Sequence, residues 1–280
     1  MIETLKLSNG VDIPCMGYGT YKITERSSGV RVVKDALAAG YRLLDTAAMY
    51  QNEQEVGEAV VESGITRKDI FVTSKVANPD RGYDSTLRAF DYSLRNLQMD
   101  YLDLYLIHWP ADKARFGEWK KINSDTWRAL ERLLYEGRVK SIGVSNFMTE
   151  HLEALAETAR VLPMVNQIEF HPGWMQPEVL EWCRRRNVVV EGWSPLGRTR
   201  VLENPLLGEV ARRYGKSVAR ICLRWAVQHG VVPLPKSVSP ERMRSNLDIF
   251  DFSLSEADMH LIDSMPPTGE SGLTPDSIDF

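Results

Sequence analysis

The sequence predicts an α/β chain folded as a (β/α)8 TIM barrel, with an N-terminal β-hairpin and a short C-terminal tail. Three observations carry this. Eight short apolar runs rich in Val, Ile, Leu and Tyr recur along 280 residues, segments of helical period lie between them, and no GxGxxG follows the first run. Near-continuous apolar strands alternating with helices indicate parallel strands covered from outside. Eight such units suit a closed barrel better than a doubly wound sheet, and "MGYGTYK" (16–22) lacks the glycine fingerprint of a Rossmann fold.

The elements follow in order. "IETLKL" (2–7), a turn at "SNG" and "VDIPCMG" (11–17) read as the hairpin. The strand candidates are "CMGYGT" (15–20), "YRLLD" (41–45), "DIFVTSK" (69–75), "LDLYLIHW" (102–109), "VKSIGVSN" (139–146), "PMVNQIE" (163–169), "VVVEGWSP" (188–195) and "VVPLPKS" (231–237). Between them, Leu87, Phe90, Leu94 and Leu97 form one helical stripe. Leu152, Leu155, Ala156 and Ala159 form another, and Val218, Ile221, Cys222 and Trp225 a third. Ser85 and Ser217 are expected to cap helix starts, and Gly230 to close the last of these helices. The Pro/Gly-rich end, 266–280, reads as a surface tail lying over one barrel face. With no linker or repeat, residues 1–280 read as one domain.

Composition narrows the function. A hydrophobic content of 43% is ample for a core. A net charge of −4 and a pI of about 5.8 imply no broad basic surface, so nucleic acid is not an expected partner. Cys15, Cys183 and Cys222 are odd in number and form no CxxC, which fits reduced, mostly buried thiols of a cytoplasmic protein. "MIETLKLSNG" lacks the apolar region of a signal peptide, and no run nears the ~20 residues of a membrane span.

Polar residues gather at the strand ends. Asp45, Lys75, His108, Ser145–Asn146, Asn166–Gln167, Ser194 and Lys236–Ser237 fall in or at the tips of successive runs from the second to the eighth. In such a barrel these tips share the face that carries the active site. Taken singly, Asp45 reads as a cap, Tyr50 as core or rim, and His108 as a satisfied core histidine. Seven polar tips in a row exceed what capping explains. An ammonium at the end of "IFVTS" demands a carboxylate, and Asp45 is the natural partner of Lys75. No HxH or HExxH spacing occurs and Lys75 would repel a cation, so no metal is expected.

Together, Asp45, Tyr50, Lys75 and His108 suit proton donation to an oxyanion. A lysine beside a phenol is expected to lower its pKa from about 10 toward the working range. His108 can donate a hydrogen bond to a substrate oxygen, and the carbonyl carbon takes a hydride that a nicotinamide cofactor supplies.

"GYRLLDTAAMYQNEQEVG" (40–57), "VKSIGVSNF" (139–147) and "LPKSVSPERMRSNLDIF" (234–250) resemble the three signature segments of the aldo-keto reductases. "TSK", "LYLIHWP", "VNQIEFHP" and "EGWSPLG" match in order, and the chain looks most like the branch of 2,5-diketogluconate, glyoxal and prostaglandin F synthase-like reductases. The resemblance implies a monomeric barrel that binds NADPH without a Rossmann motif. By position, Tyr50 is the general acid/base, with Asp45, Lys75 and His108 around it. Ser145, Asn146 and Gln167 hold the nicotinamide carboxamide, and Trp193 stacks on the ring. Ser194, Pro195, Leu196 and Gly197 line the pyrophosphate. Lys236, Ser237 and Arg242 clasp the 2′-phosphate, which favours NADPH over NADH, and Asn246 reaches the adenine. Thr20, Tyr21, Asp45 and Val238 complete the cofactor-binding set. Tyr21, Met49, Tyr50, His108 and Trp109 form the substrate pocket, with Phe116 and Trp119 of the 113–127 loop as further candidates. Trp193 stands where many members have Tyr, Tyr21 where many have Trp, and Ser245 where many have Glu or Gln. The expected activity is reduction of aldehydes, α-dicarbonyls such as methylglyoxal, or small ketones. The alternatives are an NADP(H)-binding sensor subunit and an unrelated sugar-phosphate isomerase barrel. A complete tetrad speaks against the first and the weak phosphate-loop pattern against the second.

Overall fold

The computed structural model describes residues 3–23 and 26–278. A hairpin of β1 (Thr4–Lys6) and β2 (Asp12–Pro14) pairs antiparallel, Leu5 opposite Ile13. Ile2, the first residue of the expected hairpin, lies outside the described residues. Asn9 Nδ2 donates to the carbonyl of Lys140, which fixes the hairpin near the amino end of a barrel strand.

Eight parallel strands then follow: β3 (Tyr18–Gly19), β4 (Leu43–Asp45), β5 (Phe71–Val76), β6 (Leu102–Ile107), β7 (Val139–Ser145), β8 (Val165–Glu169), β9 (Val189–Trp193) and β10 (Val231–Leu234). Each pairs with the next in chain order. The seam between first and last is closed by backbone bonds from Gly17 to Pro233 and from Gly19 to Pro235, each 3.1 Å. Both glycines are tightly packed there. A Cβ on Gly19 would meet the carbonyl of Leu234 at 3.1 Å, and one on Gly17 would overlap Leu43 and Leu234.

The covering helices are α1 (Arg26–Ala39), α2 (Glu53–Glu62), α3 (Tyr83–Leu97), α4 (Trp119–Tyr135), α5 (Thr149–Ala156), α6 (Pro177–Arg185), α7 (Pro205–Tyr214), α8 (Val218–Gln228), α9 (Pro240–Leu247) and α10 (Glu256–Asp263). Their apolar stripes face the strands: Phe90, Leu94 and Leu97 of α3 and Ile221, Cys222 and Trp225 of α8 are buried. Ser217 caps α8, accepting from the Arg220 N–H, and Gly230 follows its end at φ +73. Ser85 does not cap α3. The helix starts earlier because Gly82, at φ +101, takes the cap conformation, and Ser85 Oγ donates to the Arg81 carbonyl instead. Among the described residues, no helix is long and apolar enough to cross a membrane.

The tail crosses the carboxyl end of the barrel, as expected of 266–280 up to Ile278; Asp279 and Phe280 lie outside the described residues. Thr268 N–H donates to Gly173, and Ser271 binds the buried carboxylate of Glu169 at the end of β8 through its N–H (3.0 Å) and its hydroxyl (2.7 Å).

Candidate active site

The strand tips converge as the polar pattern implies. Lys75 Nζ, with no exposed surface, donates to Asp45 Oδ1 at 2.7 Å, to Asp45 Oδ2 at 2.8 Å and to the Thr46 carbonyl at 2.9 Å. It also lies 3.4 Å from the Tyr50 hydroxyl. A buried ammonium is tolerated only with such partners. Asp45 and Lys75 come from neighbouring strands, and the loop from 46 to 50 carries Tyr50 back over them.

That loop is held by a residue the polar-tip pattern does not single out. Asn52 accepts from Thr46 Oγ1 at 2.7 Å and donates to the carbonyls of Thr20 and Ile23 at 2.9 and 3.1 Å. It joins the Tyr50 loop to the first strand–helix loop, where the Tyr21 ring packs 5.1 Å from the Tyr50 ring. His108 follows β6 and meets Tyr50 edge-on at 5.5 Å. Arg81 fixes the backbone after His108, donating to the carbonyls of Trp109 (3.2 Å) and Pro110 (3.1 Å).

The electrostatics differ from expectation in one respect. Burial pushes the Tyr50 phenol up to about 12, with Lys75 pulling down and Asp45 pushing up. Lysine alone does not bring it toward neutrality, because burial outweighs the ammonium's field and Asp45 offsets part of that field. Burial opposes the charge on Lys75, but Asp45 and Tyr50 hold its pKa above the ordinary lysine value. Burial, then Lys75 and Arg81, hold His108 well below the ordinary histidine range. Near neutral pH the site therefore presents a protonated phenol, a charged ammonium and a neutral imidazole.

Beside this group lies a second connected set. Gln167 Nε2 donates to Asp45 Oδ1 and to Glu191 Oε2, both at 2.8 Å. Ser145 Oγ donates to the Gln167 carbonyl at 2.8 Å. Asn146 Nδ2 donates to the His108 carbonyl and to Ser145 Oγ, each at 3.0 Å, and its Oδ1 accepts from the Trp193 indole at 2.8 Å. Asn146 and Ser194 hold these positions at φ +62 and +49, uncommon for residues with a side chain. Glu191 is absent from the sequence expectations because a carboxylate inside "VVVEGWSP" carries no spacing signal. Its role appears only when β8 and β9 are paired, Gln167 opposite Glu191.

A cleft of about 360 Å³ opens over these residues. Its walls include Tyr21, Asp45, Met49, Tyr50, His108 and Trp109, and also Ser145, Asn146, Gln167, Trp193, the Ser194–Leu196 turn and Lys236. Lys22, Arg198, Thr199 and Leu273 join them without having been expected. Lys75 lies behind Tyr50. Thr20 is buried and donates to the Asp45 carbonyl at 2.9 Å. Gly197 is buried within the segment that follows β9. The Ser237 carbonyl accepts from Tyr18 at 2.5 Å, and Asn246 is buried with its amide against the Tyr41 hydroxyl. Val238 and Arg242 are exposed beyond the cleft. Phe116 and Trp119 stay out of it: Arg81 lies over Phe116, and Trp119 packs on His151. The nearby Asp112–Glu150–His151 group is a helix cap, since His151 Nδ1 accepts from the Met148 N–H and its Nε2 bonds Asp112.

These residues fit a phosphorylated dinucleotide. Trp193 offers a partly buried indole on the wall, and among the described residues Lys236 and Arg242 enter no ion pair. Comparison with known proteins agrees. Residues 15–266 match the family model of the aldo/keto reductases. Glyoxal reductase of Bacillus subtilis (strain 168) is 47% identical over 99% of this chain and 98% of its own length. The 9,11-endoperoxide prostaglandin H2 reductase of Trypanosoma cruzi is 42% identical over 97% and 94%. A crystal structure of a Gox0644 mutant in complex with NADPH, 40% identical, superposes over the full length of both chains with a TM-score of 0.92.

Proposed function

The chain belongs to the aldo/keto reductase family and is an NADPH-dependent oxidoreductase that reduces carbonyl groups, and from that premise we propose that it reduces aldehydes, α-dicarbonyls such as methylglyoxal, and small ketones, with Tyr50 as the proton donor. The observation that carries the reading is the Tyr50 hydroxyl 3.4 Å from an ammonium held by both oxygens of Asp45, on the wall of the cleft.

Bound NADPH supplies the hydride. The chain's residues supply the rest. His108, neutral, directs a hydrogen bond to the carbonyl oxygen and sets the side from which the carbon is approached. Tyr50 delivers its proton to that oxygen as charge develops on it. Lys75 stabilises the phenolate left behind, and Asp45 keeps Lys75 charged. Ser145, Asn146 and Gln167 hold the carboxamide, and Trp193 forms the platform for the ring. Lys236, Ser237 and Arg242 hold the 2′-phosphate, at about 1.5–3 kcal/mol per charge-assisted bond, which favours NADPH over NADH. Tyr21, Met49 and Trp109 wall the substrate pocket. The working unit is one chain in the cytoplasm, a reading supported by three buried free thiols and by a site built from a single chain.

Tyr50→Phe tests the reading. It keeps the ring and loses the proton, so turnover of methylglyoxal with NADPH should fall by roughly 10²–10⁴ while quenching of intrinsic fluorescence by NADPH persists. Wild-type turnover in the variant would remove Tyr50 from its role.

A further inference from the structure

Glu191 is a wholly buried carboxyl group for which the mechanism above has no use. It faces a crowded floor. Asp45 from β4 and Lys75 from β5 are the charged groups that act on it, β8 presents the neutral Gln167, and β10 places Val232 opposite it. Two carboxylates thus share one ammonium, and Lys75 is committed to both oxygens of Asp45. Gln167 Nε2 spends one hydrogen on Asp45 and the other on Glu191 Oε2. Glu191 Oε1 has no partner among the described residues. A bare carboxylate oxygen is costly in such a place, and a proton on Oε1 removes the charge and with it the larger part of that cost. Burial first, then Asp45, raises the Glu191 pKa to about 8, in agreement with the geometry.

Glu191 also lies two residues before Trp193 on β9, so both project from the same side of the strand, one layer or about 7 Å apart. Resting on the reading that Trp193 and Gln167 frame the nicotinamide, we propose that Glu191 is a positioning residue that keeps its proton under the reduced cofactor and releases it under the oxidised one. The reduced ring is uncharged and the oxidised ring carries one positive charge. A carboxylate one layer below stabilises only the second. The O–H bond of Glu191 then breaks, the proton leaves to solvent, and the Gln167 amide turns its donor more strongly toward Glu191. Glu191 so favours the charge that hydride donation creates, by its field and by its hold on Gln167, without touching the substrate.

Binding measures this directly. NADPH and NADP+ are titrated against intrinsic tryptophan fluorescence at one pH well below 8 and one well above it. The 2′-phosphate is common to both, so its own titration cancels in the ratio of dissociation constants. In the wild type, NADP+ should gain about 10-fold relative to NADPH as pH rises through the window. In Glu191→Gln, which keeps an acceptor for Gln167, the ratio should stay constant. A pH-independent ratio in the wild type, or the same change in the variant, overturns the proposal while leaving the cofactor site intact. Should the variant not fold, calorimetry of the wild type in two buffers of different ionisation enthalpy replaces it. Proton release on NADP+ binding but not on NADPH binding supports the proposal, and equal release overturns it. Failure of both cofactors to bind overturns the site reading and the proposal with it.

Discussion

Lys75 shows how far one buried charge organises its surroundings. Replacing it with methionine leaves Asp45 ionised and without its ammonium, so Lys75→Met should cost about 3–5 kcal/mol in a denaturant titration and most of the turnover. Adding Asp45→Asn should restore part of the stability and none of the activity, which separates the fold's need for the pair from the reaction's. His108 gives a pH test. Its folded pKa lies well below the ordinary 6.5, so the stability it contributes is complete above 6.5 and is lost as pH falls below that value. His108→Gln should therefore lose less stability than the wild type on acidification below 6.5, read by thermal unfolding. The Asp45–Lys75 pair was legible in the sequence because an ammonium ending an apolar run has few tolerable partners. Glu191, Asn52 and Arg81 were not, because their partners are a cross-strand amide and backbone carbonyls that become neighbours only in the folded barrel. The high pKa of Tyr50 was not legible either, since it depends on how deeply the folded barrel buries the phenol.

The strands β7 and β8 carry the shelf of Ser145, Asn146 and Gln167, and their spacing depends on Gly143. A Cβ there would lie 2.5 Å from the Val165 carbonyl and 2.7 Å from Leu106 Cδ2. Gly143→Ala should cost about 1–3 kcal/mol through overpacking, measured by urea unfolding, and weaken NADPH binding because the shelf shifts with the strands. All eight barrel strands were readable from their apolar runs. What the runs overstate is length: β3 has two residues of "CMGYGT", Tyr18 and Gly19, while Gly17 before it bonds across the seam to Pro233. The start of α3 was misplaced for a comparable reason. Serine three residues into a helix reads as a cap, yet a glycine at positive φ had already ended the preceding turn.

Viewed whole, the molecule closes one end of its barrel with the hairpin and crosses the other with its tail. The tail was legible as a surface segment from its Pro and Gly content, but its anchor at Glu169 was not, since Ser271 lies 102 positions away. Leu273 of the tail lines the cleft. Removing residues 267–280 should raise the KM for carbonyl substrates several-fold and change the NADPH dissociation constant less, because the anchoring hydrogen bonds of the tail go to Glu169 and Gly173, neither of which is proposed to bind the cofactor. Steady-state kinetics and fluorescence titration read the two effects separately.

The depth at which the reactive side chains lie has a chemical consequence for the protein's own survival. Aldehydes and dicarbonyls condense with free amines and add to thiolates. Burial pushes Cys15 up to about 11 and Cys183 and Cys222 up to about 12, so all three remain thiols enclosed in protein. Lys75, 3.4 Å from the Tyr50 hydroxyl, is held as an ammonium with no lone pair to offer. A catalyst that handles carbonyl compounds at every turnover thus keeps its three thiols and its buried lysine out of their reach, and that protection comes from the same burial that forms its core.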